Sequence, residues 1–413
     1  MTTLYVLMLI GGCLVALGVI AGLYSTRLGF SHLLVFLCVG MFAGVDGPLG
    51  LPFDDYRIAF GVGNVALAMI LLDGGLRTSG ATLRAGLLPA SLLATVGVAV
   101  TSAFAGAAAM WALDLDWRHG LLLGAVISST DAAAVFSQLG RARDALPQRL
   151  AATIEVESGL NDPMAVFLVL SLIALIKAPA GDDAGLLALF AHHAGWGTAI
   201  GLGSGLIAAE ALKRLPLDER KQGLTALLLT AAGLVVFALA GLADGSAFVA
   251  VYLFGLVLAQ RARRTVRSAL AALDGYTWLA QAGLFLLLGL LVTPHDLLLA
   301  AGPALAVAAA LMLIARPLAV VLCLAPLRFG WREQALVAAV GLRGAVPIVL
   351  AVYPVMAGIE GAYRFFDVAF VVVLSSLLLQ GPALGWLARR LGLVQATPAA
   401  AEAAAARAAT GPA

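Results

Sequence analysis

The sequence predicts an all-α polytopic membrane protein in which thirteen helices cross the bilayer. Three observations carry this. Of 413 residues, 62% are hydrophobic and only 12% charged, whereas a soluble domain is about 25% charged. Mean hydropathy is +1.02, and apolar runs long enough to span a membrane recur from end to end. The connections between those runs alternate between basic and acidic. The net charge of +2 is too small to imply a nucleic-acid partner.

The spans fall near 3–24, 28–45, 57–76, 85–113, 119–139, 150–176, 185–212, 222–242, 246–260, 273–292, 297–325, 333–357 and 366–388. One set of connections holds Arg27; Arg77 and Arg84; Arg141, Arg143 and Arg149; Lys213, Arg214, Arg220 and Lys221; Arg261, Arg263, Arg264 and Arg267; Arg328 and Arg332; then Arg389, Arg390 and Arg407. The other set holds only Arg57, Arg118, Lys177 and Arg364, beside Asp46, Asp54, Asp55, Asp114, Asp116, Asp182 and Asp183. The positive-inside rule places the N-terminus outside and the C-terminus in the cytoplasm. A miscounted span would scramble the alternation. The membrane unit covers residues 1–391, and the Ala-rich tail, 392–413, reads as disordered. The N-terminus lacks the basic region of a signal peptide, and Ile10-Gly11-Gly12-Cys13 lacks the context of a lipoprotein cleavage site.

Thirteen spans suit two inverted six-helix repeats with one linking helix, a design that places a site at mid-membrane where interrupted helices meet. The fifth and twelfth spans are then equivalent. The fifth carries Ser128-Ser129-Thr130-Asp131 at mid-depth. The twelfth carries Gly341-Leu342-Arg343-Gly344-Ala345-Val346-Pro347, whose glycines and proline free backbone groups from helical pairing.

The sixth span holds the most informative residue. Asp162 lies in Glu157-Ser158-Gly159-Leu160-Asn161-Asp162-Pro163, within an apolar stretch. A carboxylate at the bilayer centre costs about 2.5–3.5 kcal/mol on translocon scales, so Asp162 is read as a handler of ions or protons. On a helix, Ser158 shares a face with Asp162, Glu157 and Asn161 share the adjacent stripe, and Glu155 lies two turns from Asp162 on its side. These are hard oxygen ligands, suited to alkali and alkaline-earth cations. Pro163 is expected to weaken the helix there. The bland alternative is that Asn161 and Asp162 only glue helices together, although an amide alone would do that at lower cost.

Arg343 is the only Arg near the middle of a span, Arg316 lying nearer the cytoplasmic end of its own. An unpaired guanidinium at that depth is implausible. Glu157 is its expected partner, with Asn161 as a second acceptor. If the fifth span is interrupted, Thr130 can offer a carbonyl and a hydroxyl, and Asp131 can compensate the positive ends of half-helices; a structural role for Asp131 is the alternative. Asp73 is a candidate for the access path or gate, or a snorkelling carboxylate. Glu210 reads as interfacial.

Other patterns carry less. Cys13, Cys38 and Cys323 read as plain buried thiols with no metal-ligand spacing. Gly201-x-Gly203-x-Gly205 follows no strand and is not a nucleotide fingerprint. Gly18/Gly22, Gly40/Gly44 and Gly201/Gly205 suggest close helix packing or a dimer face. His32, His119, His192, His193 and His295 sit toward span ends or loops, which disfavours a metal-dependent intramembrane hydrolase.

Thr130-Asp131, Glu157-Ser158-x-x-Asn161-Asp162-Pro163 and Gly341-Leu342-Arg343-Gly344-Ala345-Val346-Pro347 resemble the NhaP branch of monovalent cation/proton antiporters. Leu71-Leu72-Asp73-Gly74-Gly75-Leu76-Arg77, Ser129-Thr130-Asp131-Ala132-Ala133-Ala134-Val135-Phe136 and Phe248-Val249-Ala250-Val251-Tyr252 are most similar to its bacterial potassium/proton members. The resemblance implies a homodimer in which a six-helix core moves against a dimerisation domain. It implies cation ligands at Asp162, Ser158, Thr130 and Asp131, and Arg343 paired with Glu157 and Asn161. Asn161 before Asp162 is similar to the electroneutral members. Some relatives place a Glu near the ions where this chain has Asp73. The potassium branch usually continues into a cytosolic regulatory domain, so this sequence reads either as a transport core only or as a member without regulation. No cofactor is implied beyond the transported K⁺ or Na⁺ and H⁺.

The mechanism that follows is competition. Burial favours the neutral form of a carboxyl group and a nearby cation favours the charged form. One site then holds either proton or cation, and only a neutralised site crosses cheaply. The alternatives are a Na⁺/H⁺ antiporter of the same fold, or a passive cation channel, which an Asn-Asp pair beside a charged Arg343 would obstruct.

Overall fold

Helix starts are set by polar side chains placed just ahead of apolar runs. Asp55 Oδ1 accepts from the backbone N–H of Arg57 and Ile58, Ser79 from Thr82, Asp116 from Arg118 and His119 and Ser246 from Val249, each satisfying donors that a first helical turn leaves open. In the computed structural model, which describes residues 2–25, 31–139, 145–177, 183–216 and 219–394, the resulting helices run in order as follows. They are α1 (Thr2–Ser25), α2 (His32–Ala43), α3 (Tyr56–Arg77), α4 (Gly80–Leu92), α5 (Val98–Leu113), α6 (Trp117–Val126), α7 (Ala132–Leu139), α8 (Gln148–Lys177) and α9 (Asp183–Arg214). After these come α10 (Gln222–Leu242), α11 (Ala247–Arg261), α12 (Arg263–Leu291), α13 (Pro294–Ala310), α14 (Arg316–Leu324), α15 (Trp331–Ala339), α16 (Ala345–Met356), α17 (Ala362–Ser375) and α18 (Gly381–Arg390). No strand occurs among the described residues. Arg27, Arg141, Arg143, Asp182 and the tail beyond Val394 lie outside them.

Single π-helical turns at Leu93–Gly97, Leu311–Ala315 and Ser376–Gln380 join α4 to α5, α13 to α14 and α17 to α18. Counting such joined rods once, eight helical stretches among the described residues are long and apolar enough to cross a membrane, and α2, α11 and α16 are shorter apolar helices.

The two expected interruptions are present. The chain leaves helical geometry between α6 and α7 and between α15 and α16. The first break has neither Gly nor Pro. It falls where Ser128, Ser129, Thr130 and Asp131 follow one another, residues whose side chains compete for backbone groups; Ser128 Oγ donates to the Ala125 carbonyl at 2.8 Å. The second lies between Gly341 and Gly344, and Pro347 sits in the first turn of α16, where a missing N–H removes nothing.

Three expectations need correction. The α8 helix runs unbroken through Pro163. The tenth span begins about ten residues earlier than hydropathy gives it, α12 starting at Arg263; its first turns are helical but amphipathic, so an apolar window misses them. Cys13 and Cys38 lie on the outside of the helices, and only Cys323 is buried.

The helices divide by their contacts. On one side α1, α2, α3, α9, α10, α11 and α12 pack mainly on each other, and on the other α4 to α8 pack with α13 to α18. The pairs α3 with α16 and α8 with α9 and α11 join the two sides. Small residues set the closest approaches: Gly40 of α2 abuts the backbone of α12 at Leu286 and Gly289, and Gly201 of α9 that of α11 at Ala250. These expected small-residue faces are therefore used within the chain.

On the other side, a Cβ at Gly124 would strike the Ser102 carbonyl and the backbone of Gly106. We expect Gly124→Val to force α6 from α5 and destabilise the protein by about 1–3 kcal/mol, as overpacking does. A lowered unfolding temperature of the purified protein in detergent checks this.

Candidate functional site

The two breaks cross, and the crossing is held by backbone groups. The Asp131 N–H donates to the Leu342 carbonyl at 2.8 Å. Arg343, 1% exposed, donates from Nη1 to the Ser129 carbonyl at 2.6 Å, and its own N–H donates to Ser376 Oγ at 3.0 Å. Ser376 opens the π turn that joins α17 to α18. A guanidinium therefore sits where α6 exposes carbonyls, the negative end of a half-helix.

The opposite charge sits at the other ends. Asp131 Oδ1 accepts from the Ala134 N–H at 3.1 Å in the first turn of α7. Its carboxylate also lies against Gly344, so close that a Cβ there would overlap it. Glycine at 344 thus lets one carboxylate lie at the N-terminal ends of both α7 and α16.

The sixth predicted span, α8, clamps the first break. Ser158 Oγ donates to the Thr130 carbonyl at 3.0 Å and accepts from the Ala132 N–H at 2.9 Å. Asn161 Nδ2 donates to Thr130 Oγ1 at 2.6 Å. Ser158, Asn161, Thr130 and Asp131, all expected at the site, are thus brought together, and in this conformation Ser158 and Asn161 satisfy groups that the break frees. Asp162, 8% exposed, accepts at Oδ1 from Ser129 Oγ at 2.5 Å.

The expected pairing of Glu157 with Arg343 is not made. Glu157, 1% exposed, pairs with Arg316, 4% exposed, at 2.6 Å between Oε1 and Nη1. Arg316 follows the π turn at Leu311–Ala315 and is buried. Nor does Asn161 accept from Arg343: its Oδ1 has no protein partner. Arg343 is drawn instead to the carbonyl end of α6, which a break leaves uncompensated. Ser129, Arg316 and Ser376 were missed as site residues. The signal for Arg316 was a second Arg in an apolar span, discounted for its place near the end of that span.

Asp162 lies at a cavity of about 520 Å³ that Asp131, Ser158, Glu155, Tyr252 and Asp73 also line. It reaches the exposed residues Arg77 and Asp274, at the end of the molecule bearing the basic connections. Asp73 accepts from Arg77 Nε at 2.8 and 2.9 Å, and Arg77 Nη2 reaches the Asp274 carboxylate. Asp73 is therefore at the cavity wall near its mouth and ion-paired. Glu210 is exposed and pairs with Lys213 and Arg214.

Toward the opposite end the path is shut. Tyr353 of α16 donates to Asn64 Oδ1 of α3 at 2.5 Å, and Asn64 Nδ2 donates to the Phe60 carbonyl at 2.7 Å. The rings of Phe60 and Tyr353 meet edge-on at 4.7 Å, and Tyr56 meets Tyr363 and Phe366. Among the described residues, the cavity that Asp162 lines extends toward Arg77 and Asp274.

A family model for the transmembrane part of sodium/hydrogen exchangers matches residues 13–390. The chain belongs to the sodium/hydrogen exchanger family. As a member it is a membrane transporter of the cation/proton antiporter class. It is 49% identical over 397 residues to the K⁺/H⁺ antiporter NhaP2 of Shewanella sp. (strain ANA-3), covering 94% of this chain and 67% of that protein. It is 44% identical over 385 residues to the K⁺/H⁺ antiporter NhaP of Alkalimonas amylolytica, covering 93% and 67%. The chain thus spans about two thirds of the length of these relatives. The fold matches the sodium proton antiporter MjNhaP1 of Methanocaldococcus jannaschii with a TM-score of 0.79 at 24% identity, over 94% of this chain and 99% of that one.

Because Glu157 and Arg316 are both buried, Arg316→Ala should strand a carboxylate and destabilise the protein by about 3–5 kcal/mol. Replacing both partners, Arg316→Leu with Glu157→Leu, should recover most of that loss. Thermal unfolding in detergent checks both, and a double variant no more stable than the single would contradict the assignment.

Proposed function

We propose that this chain exchanges a monovalent cation, K⁺ in preference to Na⁺, for H⁺, one for one, through competition of the two for Asp162. The observation that carries the reading is Asp162 at a cavity reached from one end of the molecule, beside two crossed helix breaks in a chain of the exchanger family. The preference for K⁺ rests on the similarity to the K⁺/H⁺ antiporters NhaP2 and NhaP.

Charge balance supports an electroneutral cycle. The crossing gathers Arg343 and the Arg316–Glu157 pair with the carboxylates of Asp131 and Asp162. Two positive charges against three negative ones leave one negative charge. One proton or one monovalent cation neutralises it, and the two loaded forms carry the same net charge. The empty form keeps an uncompensated charge, which is costly to carry through a low-dielectric barrier. Loaded forms therefore cross and the empty form does not, which couples the two fluxes.

Ser158, Thr130, Asp131 and Asn161 shape the site around Asp162, and their oxygens suit a hard monovalent cation. Arg343 with Glu157 and Arg316 fixes the crossing. Asp73 with Arg77 and Asp274 guards the access path. The remaining reading follows the same line. Thirteen crossings put the N-terminus outside and the cavity mouth in the cytoplasm of a bacterial inner membrane. Two inverted repeats relate the breaks, residues 1–391 form the transport unit, and the tail follows. The α4–α8 and α13–α18 group rocks against the other helices, which also form the homodimer contact. Opening the outer side requires the Tyr353–Asn64 contact to part.

Asp162→Asn keeps the Ser129 contact available but removes the titrating charge. In everted vesicles with a pH-sensitive dye, wild-type protein should dissipate a proton gradient on addition of K⁺, and Na⁺ should act at higher concentration. The Asp162→Asn variant should be inactive with both while expressing normally. Wild-type dye recovery in the variant would sink the proposal.

A further inference from the structure

Tyr252 shares the cavity wall with Asp162 and stands on α11, in the group of helices that does not carry the breaks. The residue is 2% exposed. Its hydroxyl has no hydrogen-bond partner among the protein atoms. A buried hydroxyl left without a partner loses its hydration for nothing, so a position that keeps one needs a reason. Thr78 is the neighbouring hydroxyl; it gives its own proton to the Gly74 carbonyl at 2.8 Å and so can only accept from Tyr252, which leaves the lone pairs of the Tyr252 oxygen unclaimed.

Two features aim this oxygen. The first is the absence of a side chain at Gly159. A Cβ there would lie 2.6 Å from the Tyr252 hydroxyl and 2.7 Å from Cζ, so any other residue would push the phenol away. Gly159 stands between Ser158 and Asp162 on α8, and the phenol fills the notch it leaves. The second is a rigid base. The α3 and α11 backbones touch at Gly75 and Gly255, where a Cβ would overlap the Tyr252 and Leu72 carbonyls. The aromatic ring allows the oxygen little freedom, and the backbone beneath it cannot shift.

We propose that the Tyr252 hydroxyl is a contact for the transported cation in the cavity wall, between the cavity mouth and Asp162. This rests on the reading of Asp162 as the exchange site. The hydroxyl is a neutral, hard oxygen at a point where a cation leaving water must exchange part of its hydration shell. It comes from helices outside the crossing, so it would accompany the cation only while the cavity is open to this side. Being neutral, it adds affinity without a second charge to neutralise, and so leaves the one-for-one balance unchanged. A proton, which needs no shell of oxygens, gains nothing from it. The hydroxyl therefore bears on the apparent affinity for the cation and not on the proton step.

The test is Tyr252→Phe in proteoliposomes, with K⁺ as the varied cation at fixed pH. The ring and its packing are kept and only the unpartnered oxygen is lost. The KM for K⁺ should rise about three- to tenfold, the worth of one modest polar contact, with Vmax and the pH dependence of Vmax retained. Gly159→Ala is the second variant. It displaces the phenol without touching the ligand set and should raise KM in the same way, so a folding failure of either leaves the other to decide. An unchanged KM in a folded variant overturns the proposal. So does a fall in Vmax with KM unchanged, which would place the hydroxyl in the moving step. If wild-type protein shows no cation-driven proton flux, the exchange reading fails. If wild type exchanges and KM does not respond to these substitutions, only this inference fails.

Discussion

Two helices broken inside an apolar slab free backbone groups that have no water to turn to, and the rest of the site follows from how those groups are satisfied. The breaks are placed against each other. The Leu342 carbonyl takes the Asp131 N–H. Ser158 satisfies groups on both sides of the first break. What these bonds leave over is the partial charge of the half-helix ends, answered by full charges of the opposite sign, Arg343 at the carbonyl end of α6 and Asp131 at the N-terminal ends. Each of these residues is costly alone at that depth and is held by what the breaks expose.

This arrangement isolates Asp162. Glu157 is matched by Arg316 and Asp73 by Arg77, and Asp131 is matched by helix ends. Asp162 receives a neutral hydroxyl from Ser129. It is the acid at the crossing whose charge no fixed group answers, and it is also on the wall of the cavity. In the exchange we propose, a mobile positive charge completes it. The same geometry explains why the site belongs to the breaks. A continuous helix would offer no carbonyls for Arg343 and no shared N-terminal pole for Asp131, and the charges would have no reason to gather.

Much of this was legible in the sequence, and for a physical reason. Carboxylates and guanidinium groups are so costly in an apolar span that Asp162, Glu157 and Arg343 announce themselves one residue at a time. The second break was readable because Gly341, Gly344 and Pro347 act locally. The pairing of the buried charges was not readable. Glu157 chooses between Arg316 and Arg343 through the path of α14, which depends on a π turn that Leu311–Ala315, all apolar, does not reveal. Ser129 looked like one of several hydroxyls, and only the crossing shows that it faces Asp162. Tyr252 was visible as part of a family pattern, but its unpartnered oxygen depends on a notch at Gly159, a contact between helices distant in sequence. The start of α12 was misplaced because its first turns are polar on one side and apolar on the other.

The central claim is that one carboxyl group holds either a proton or a cation and never both. Proton release on cation binding tests it most directly. Purified protein in weakly buffered detergent solution would be titrated with K⁺ at a series of pH values while free protons are measured. The account predicts protons released in proportion to bound cation, approaching about one for one where the site starts protonated, as linkage between the two ligands requires. It also predicts no such release from the Asp162→Asn protein. K⁺ binding without proton release at every pH would contradict it.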